Sequence, residues 1–148
     1  MTVFKPLEKD QIETIVTMMQ DFYAIDNYPI DTAVSKQLFQ NFLEDGNAGK
    51  AWLIYEGDAI AGYIILTFVF SFEYKGRIAF LDELYLSEKA RGKGIGKKAI
   101  AFVQEEARKS GLKIIYLEIE GHNENAQKLY LGSGFSLHHR KLMKYQVF

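Results

Sequence analysis

Hydrophobic residues recur with helical spacing in two early segments of the chain. In the first segment they follow at intervals of three and four residues, as on one face of an amphipathic helix: Ile12, Ile15, Val16, Met19, Phe22 and Tyr23. Asn27 and Pro29 interrupt this pattern. Asp31 then precedes a second stripe, formed by Val34, Leu38, Phe39, Phe42 and Leu43. The pattern predicts two helices, the second of them capped by Asp31.

The middle of the chain changes from helical spacing to extended apolar runs. Short glycine-containing turns separate these runs, which predict strands over Ala51–Tyr55, Ala59–Phe70 and Ile78–Leu86. A short β-prone segment, Thr2–Lys5, precedes both helices. Tight turns between consecutive strands favour an antiparallel meander.

The second half of the chain alternates between helical and extended patterns. The predicted elements are a helix over Lys97–Lys109, a strand over Lys113–Ile119, a short helix over Asn125–Leu131 and a last extended run from Gly134 to Phe148. This order predicts an α/β protein, with an α+β mixed sheet and one βαβ crossover in its second half.

Composition narrows the class of protein. A chain of 148 residues with 48% hydrophobic and 25% charged residues is expected to form a single globular domain over residues 1–148. A net charge of −1 argues against a non-specific nucleic-acid binder. The absence of cysteine excludes a disulfide scaffold, a Cys-ligated zinc site and a thiol nucleophile. Ala59–Phe70 is too short for a membrane span, and the first ten residues contain no apolar signal core, so a cytoplasmic location is expected.

A glycine-rich basic segment, Arg91–Lys98, lies between a predicted strand and a predicted helix. Its glycines allow the backbone to approach a ligand closely, and the start of a helix presents N–H groups that have no acceptor within the helix. With four basic side chains nearby, the segment predicts a pyrophosphate site. Its spacing fits neither the Walker A loop nor the dinucleotide fingerprint.

Two motifs resemble a known family. Arg91-x-x-Gly94-x-Gly96, after Leu84-Tyr85-Leu86, is similar to the acetyl-coenzyme A loop of the GCN5-related N-acetyltransferase (GNAT) superfamily. Asn123-x-x-Ala126-x-x-Leu129-Tyr130-x-x-x-Gly134-Phe135 resembles the segment that closes the cofactor cleft in that family. The resemblance implies a mostly antiparallel sheet with splayed central strands and flanking helices. It also implies an N-acetyltransferase that uses acetyl-CoA as co-substrate, without a metal, and transfers acetyl directly to a primary amine in a ternary complex.

The resemblance also assigns residues to the cofactor. The pantetheine arm would pair with the backbone of Leu84, Tyr85 and Leu86, where the N–H of Leu84 or Leu86 would face the thioester oxygen. The pyrophosphate would lie on the loop formed by Arg91, Gly92, Lys93, Gly94, Ile95, Gly96 and Lys97. Asn123 and Asn125 would line the cleft, and Tyr130 would protonate the departing thiolate.

Two adjacent acids are the candidates for the general base. Asp82 and Glu83 are the only acidic residues in the otherwise apolar strand Ile78–Leu86. Family members often place an acid at either position. Because neighbouring strand residues point to opposite faces, only one of the two should face the cleft unless a bulge intervenes, and the other should point away.

The acceptor side is expected to involve Tyr23, Asp26, Tyr28 and Glu73, an acidic and aromatic set suited to a protonated amine. A small amine, polyamine or amino-acid-like acceptor is favoured. Three alternatives stay open: a protein or peptide N-acetyltransferase, a non-catalytic CoA-binding module, and a nucleotide-binding protein. Neither a nucleic acid nor a membrane is expected as a partner, and a homodimer is left open.

Overall fold

Four α-helices and five strands form along the chain, of which the computed structural model describes residues 1–148. The strands are β1 (Thr2–Pro6), β2 (Gly49–Glu56), β3 (Ala59–Ser71), β4 (Gly76–Leu86) and β5 (Ile115–Tyr116). The helices are α1 (Ile12–Ile25), α2 (Thr32–Glu44), α3 (Ile95–Lys109) and α4 (Glu124–Gly132). None of these helices is both long enough and apolar enough to cross a bilayer. The chain divides into two compact units, residues 1–118 and residues 119–148, which are described separately.

All five strands belong to the first unit and form one sheet in the order β1-β2-β3-β4-β5. The first three pairs of neighbours are antiparallel, and β4 and β5, which α3 connects, are parallel. The predicted meander and the single βαβ crossover are therefore confirmed. Pairing between β4 and β5 is short, because it joins only Ala79 to Ile115 and Phe80 to Tyr116.

Helices cover the two faces of the sheet. On one face, Ala51 and Leu53 of β2 pack in a buried cluster with Ile15, Val16 and Met19 of α1 and with Phe39 of α2. The intervening Trp52 points to the other face, where its ring lies 5.2 Å from that of Phe102 in α3. This alternation places α1 and α2 on one side of the sheet and α3 on the other.

Local sequence explains where two of the helices begin. The Asp31 carboxylate accepts hydrogen bonds from the backbone N–H groups of Ala33 and Val34 at 3.1 and 3.2 Å, as predicted for the cap of α2. Helix α3 begins at Ile95, two residues before the predicted start at Lys97. Gly94 precedes it with a left-handed backbone (φ 79°), which glycine adopts without strain.

The strand predictions fail in two places. Strand β5 covers Ile115–Tyr116 rather than residues 113–119, and the predicted extended run from Gly134 to Phe148 contains no strand. Apolar alternation identifies a segment that can extend, but a strand also needs a hydrogen-bonded partner, and the sequence pattern does not supply one. In the second unit, α4 begins at Glu124, close to its predicted start.

Gly62 offers a test of the sheet register around β4. A Cβ atom at this position would fall on the carbonyl oxygen of Tyr85, far inside van der Waals contact. We expect Gly62→Ala to lower the free energy of unfolding by about 2 kcal/mol or more, because the backbones of β3 and β4 would have to separate. Urea unfolding measures the change. Gly46→Ala is the control, since no atom lies within 4 Å of its added Cβ. Equal stability of the two variants would contradict this packing.

Candidate active site

The defining feature of β4 is a bulge at Asp82. Ile65 of β3 lies opposite Glu83, and the next residue, Leu66, lies opposite Leu81, so Asp82 is an extra residue without a partner in β3. An extra residue reverses the alternation of the strand beyond it. Tyr85 consequently joins the buried cluster under α1 and α2.

Because of this bulge, both candidate bases border the same pocket. Asp82 and Glu83 both line a pocket of about 210 Å³ in the first unit. The remaining lining residues come from α1, α2 and β3: Met19, Tyr23, Ser35, Leu38, Phe39, Phe42, Ile65 and Thr67. The sequence-based expectation of one acid at the cleft holds for a regular strand, and the bulge is the exception that it allowed.

Two tyrosines hold Glu83. The hydroxyl of Tyr63 donates a hydrogen bond to Oε1 at 2.6 Å, and the hydroxyl of Tyr23 donates one to Oε2 at 2.7 Å. Tyr63 is fully buried, and Glu83 is half-buried. A carboxylate with one donor on each oxygen has a fixed orientation, with lone pairs left over for a ligand. We refer to these three side chains as the Tyr23–Glu83–Tyr63 clamp.

Burial and charge shift the acidities of this group of residues. Burial raises the pKa of Glu83, the two tyrosine hydrogen bonds oppose that rise, and the charge of Asp82 adds to it. Burial also raises the pKa of Asp82, with a further contribution from the charge of Glu118. The pKa values of Tyr23 and Tyr63 are raised by burial and by Glu83, so both phenols stay protonated as donors. The pocket thus holds two carboxylates whose affinity for a proton is increased.

The outer edge of β4 has backbone N–H groups that lie past the residues paired with β5. The N–H of Ser87 donates to the carbonyl of Ala61 in β3 at 2.8 Å. Since successive N–H groups of a strand point to opposite edges, those of Leu86 and Leu84 point away from β3. They lie past Phe80, where the β5 pairing ends. An extended ligand chain can add to such an edge in the manner of an extra strand.

The glycine-rich loop follows this edge. Gly92 and Gly94 have positive φ angles of 74° and 79°, and an added Cβ at either position would meet no atom within 4 Å. The backbone here therefore faces open space. Ile95, Gly96 and Lys97 form the first turn of α3, whose N–H groups have no acceptor within the helix. Lys93 and Lys97 are exposed, whereas the side chain of Ile95 is buried and anchors the helix start.

Arg91 connects the loop to the strand. Its Nε donates a hydrogen bond to the carbonyl of Leu86 at 3.0 Å, and its guanidinium carbon lies 5.8 Å from the centre of the Tyr85 ring. Arg91 thus fixes the loop to the end of β4 while its charge remains beside the glycines.

The predicted acceptor residues separate into two groups. Tyr23 lines the pocket and bonds to Glu83, as described above. Asp26, Tyr28 and Glu73 are not among the lining residues. Asp26 ends α1, and the N–H of Tyr28 donates to the carbonyl of Tyr23 at 2.9 Å. Glu73 lies in the exposed turn between β3 and β4.

The remaining predicted residues belong to the second unit. The side chain of Asn123 accepts a hydrogen bond from the N–H of Ala126 at 3.0 Å and so caps α4. Asn125 is exposed in the first turn of that helix. Tyr130 packs its ring against Phe135, with centroids 5.5 Å apart, and burial raises its pKa to about 12. The roles in cofactor binding and catalysis stay predictions for these three residues.

Sequence reasoning missed Tyr63 and the walls of the pocket. Tyr63 is a polar-tipped side chain within the apolar run of β3, and a buried tyrosine hydroxyl normally needs a partner. That rule could have identified Tyr63 as a residue whose hydroxyl needs a buried hydrogen-bond partner. Identifying Glu83 as the partner requires the pairing of β3 with β4.

A family model and several known N-acetyltransferases match this chain over most of its length. The model of the acetyltransferase (GNAT) family matches residues 15–135. The D-amino-acid N-acetyltransferase HPA3 of Saccharomyces cerevisiae is 27% identical over 133 residues, covering 86% of this chain and 81% of that protein. The aminoalkylphosphonate N-acetyltransferase of Salmonella typhimurium is 26% identical over 115 residues, covering 78% and 74%.

Solved structures are similar over nearly the whole chain. An integron cassette protein from the Cole Harbour Salt Marsh metagenome has a TM-score of 0.88 and 27% identity, covering 98% of this chain and 90% of that chain. A predicted acetyltransferase from Clostridium acetobutylicum, solved with acetyl-CoA, has a TM-score of 0.82 and 18% identity, covering 98% and 96%. The second likeness concerns the fold alone.

The raised pKa of Glu83 predicts how its replacement changes stability with pH. The folded chain binds a proton at this group more tightly than the unfolded chain, so the free energy of unfolding falls as pH rises from the reference pKa of 4.5 through the folded-state pKa. We expect Glu83→Gln, which cannot ionise there, to gain stability relative to the wild type over that interval. Urea unfolding at a series of pH values measures the difference.

Glu56→Gln is the matched control. A hydrogen bond from Thr2 is the main cause that lowers the pKa of Glu56, so this group stabilises the fold above its unfolded-state pKa and loses that effect as pH falls. Relative to the wild type, the Glu56→Gln variant should therefore lose stability as pH rises, which is the opposite of the trend expected for Glu83→Gln. A flat or falling difference for Glu83→Gln would show that Glu83 has no raised pKa in the fold.

Proposed function

Because the chain belongs to the acetyltransferase (GNAT) family and is an N-acetyltransferase, we propose that it transfers acetyl from acetyl-CoA directly to the primary amine of a small molecule. One observation carries this proposal. The bulge at Asp82 sets a carboxylate pair in a pocket and, on the same strand, turns the N–H groups of Leu84 and Leu86 towards the outer edge. The acceptor would thus bind in the pocket on one face of β4, and the donor would bind along the outer edge of the same strand.

The residues of the first unit suit the co-substrate. A pantetheine arm is an extended chain with amide groups, and the edge of β4 at Leu84 and Leu86 offers backbone partners for it. The pyrophosphate would lie on the glycines and the first turn of α3, with Arg91, Lys93 and Lys97 supplying positive charge. The open space at the Cβ positions of Gly92 and Gly94 allows that approach.

Acetyl-CoA supplies an activated acetyl thioester. In the net reaction the nitrogen of the neutral amine bonds to the acetyl carbon, the carbon–sulfur bond breaks, the amine loses a proton and the sulfur gains one; an acceptor that arrives as an ammonium first releases one further proton to solvent. The chain must therefore accept one proton, donate another and stabilise an oxyanion. We assign the oxyanion contact to the N–H of Leu84 or Leu86.

Glu83 is the better candidate for the base of the pair. The clamp fixes its orientation, and burial gives it a raised pKa, which suits a group that accepts a proton near neutral pH. Asp82 is the more exposed of the two acids, and its charge would attract the ammonium form of the acceptor. Glu83 receives the proton directly or through one water.

Tyr130 keeps the role that the family motif implies for it, protonation of the departing thiolate. Burial raises its pKa to about 12, so the phenol carries its proton at any physiological pH. A protonated phenol is a suitable donor to a sulfur anion.

The relatives favour a small acceptor. Two of them are named for their action on D-amino acids and aminoalkylphosphonates, which are small molecules that contain an amine. The pocket of about 210 Å³ agrees with a small acceptor rather than a protein segment. An acetylation assay with a panel of small amines, monitored by release of the free thiol, tests the proposed function, and activity on peptides alone would contradict it.

Coenzyme A should stabilise the chain against heat, by an amount that grows with ligand concentration. Gly94→Val should remove most of this shift, because its side chain would enter the space that the pyrophosphate needs. Gly111→Val is the matched control: Gly111 also has a positive φ, 70°, with no atom within 4 Å of an added Cβ, so it imposes similar strain away from the loop. No shift for the wild type at millimolar coenzyme A would rule out the cofactor site.

The two acids should differ in kinetics. Glu83→Gln should lower kcat/KM by at least ~100-fold and remove the acidic limb of the pH profile, as expected for loss of a general base. Asp82→Asn should change kcat/KM only a few-fold. Tyr63→Phe removes a donor to the Glu83 carboxylate, so it should raise the pKa of Glu83 and move the acidic limb to higher pH. Loss of the limb in Asp82→Asn instead would reverse the assignment.

Tyr130→Phe should lower kcat by roughly 10- to 1000-fold with little change in coenzyme A affinity, because only a proton donor is removed. Tyr145→Phe makes the same chemical change at an exposed residue and should leave kcat unaltered. Steady-state kinetics and coenzyme A titration measure both properties. Normal turnover in Tyr130→Phe would mean that water protonates the thiolate.

A further inference from the structure

We propose that the acceptor is a short primary amine with an uncharged, apolar stem, and that amines with an acidic group are poor substrates. This inference rests on the proposed function and specifies its acceptor. It follows from the chemistry of the pocket walls, from the charges around them and from the pocket volume.

Most of the remaining lining of the pocket is apolar. Five of the lining side chains are hydrocarbon or thioether groups: Met19, Leu38, Phe39, Phe42 and Ile65. The only other polar groups in the lining are the hydroxyls of Tyr23, Ser35 and Thr67, and Tyr23 is already bonded to Glu83. A stem without charge would lose little hydration free energy on entering such a pocket and would gain from contact with its walls.

The pocket lining holds two carboxylates and no lysine, arginine or histidine. Glu118 is close enough to Asp82 for its charge to raise the pKa of Asp82, which adds a third negative charge nearby. Lys36 follows Ser35 in α2, but its Nζ lies 2.7 Å from Oε1 of Glu13 and is engaged there. A carboxylate or phosphonate on the acceptor would be desolvated and repelled without a cation to pair with.

The geometry orients the amine. Its ammonium group would lie at Asp82 and Glu83, the charged groups of the lining, and its stem would extend along the apolar side chains of α1 and α2. A second ammonium at the far end of the stem would meet apolar walls, which disfavours diamines of similar length. The pocket of about 210 Å³ is smaller than the roughly 300–1,000 Å³ of sites for drug-sized ligands, which favours a short stem.

Matched acceptors test the proposal. We compare 2-phenylethylamine with phenylalanine, and n-hexylamine with 6-aminohexanoate and 1,6-diaminohexane, by kcat/KM in the thiol-release assay. The kcat/KM of each neutral-stem amine should exceed that of its acidic counterpart by at least ~100-fold. The kcat/KM of n-hexylamine should exceed that of 1,6-diaminohexane by at least ~10-fold. Equal or faster acetylation of the acids or of the diamine would overturn the proposed acceptor class while leaving the acetyltransferase activity intact.

Binding separates this proposal from the proposed function. Calorimetric titration of the same compounds into the full chain saturated with coenzyme A needs no turnover. Preferential binding of the neutral-stem amines without any acetylation would support the acceptor class and contradict the catalytic proposal. If neither 2-phenylethylamine nor n-hexylamine binds or reacts at millimolar concentration, the acceptor class is wrong.

A charge placed on the wall gives a second test. Leu38 is 58% exposed at the rim of the pocket, so Leu38→Arg should fold and should add the missing cation. It should raise the ratio of kcat/KM for phenylalanine over 2-phenylethylamine by at least ~10-fold. Gln40→Arg adds the same charge at an exposed position of α2 that does not line the pocket, and should leave the ratio unchanged. The same ratio in both variants would contradict the proposal.

Discussion

The candidate site depends on one extra residue in β4. With Asp82 bulged out of the ladder, the alternation of the strand changes between Leu81 and Glu83. The change brings two consecutive carboxylates to one pocket, directs Tyr85 into the core and turns the N–H groups of Leu84 and Leu86 to the outer edge. In a regular strand the first consequence could not accompany the other two, because the adjacent side chains of Asp82 and Glu83 would point to opposite faces of the sheet.

A buried carboxylate is destabilising unless its oxygens find donors, and the clamp meets that requirement without neutralising the charge. Tyr63 and Tyr23 are neutral donors, so Glu83 is oriented but retains a raised pKa. A lysine or arginine in their place would lower the pKa and weaken the base. The arrangement therefore gives up some stability for a group able to accept a proton near neutral pH, a balance often found at functional sites.

Much of the fold could be predicted from periodicity. Local pattern and turn chemistry predict the apolar stripes of α1 and α2, the Asp31 cap, the antiparallel meander and the βαβ crossover. The bulge could not, because nothing in Ile78–Leu86 reveals how that strand pairs with β3. The clamp depends on the same pairing, since Tyr63 and Glu83 lie 20 residues apart in the chain. The predicted length of β5 was wrong for a related reason, because tertiary structure decides which residues find a pairing partner.

A crystal structure of the chain with a bisubstrate analogue, coenzyme A joined through an acetyl bridge to 2-phenylethylamine, tests the central claim most directly. The account predicts that the pantetheine arm lies along the edge of β4 at Leu84 and Leu86. It also predicts the former amine nitrogen within hydrogen-bond distance of Glu83, or one water away from it, with the phenyl group between α1 and α2. A complex in which the amine portion lies outside the pocket of Asp82 and Glu83 would contradict it.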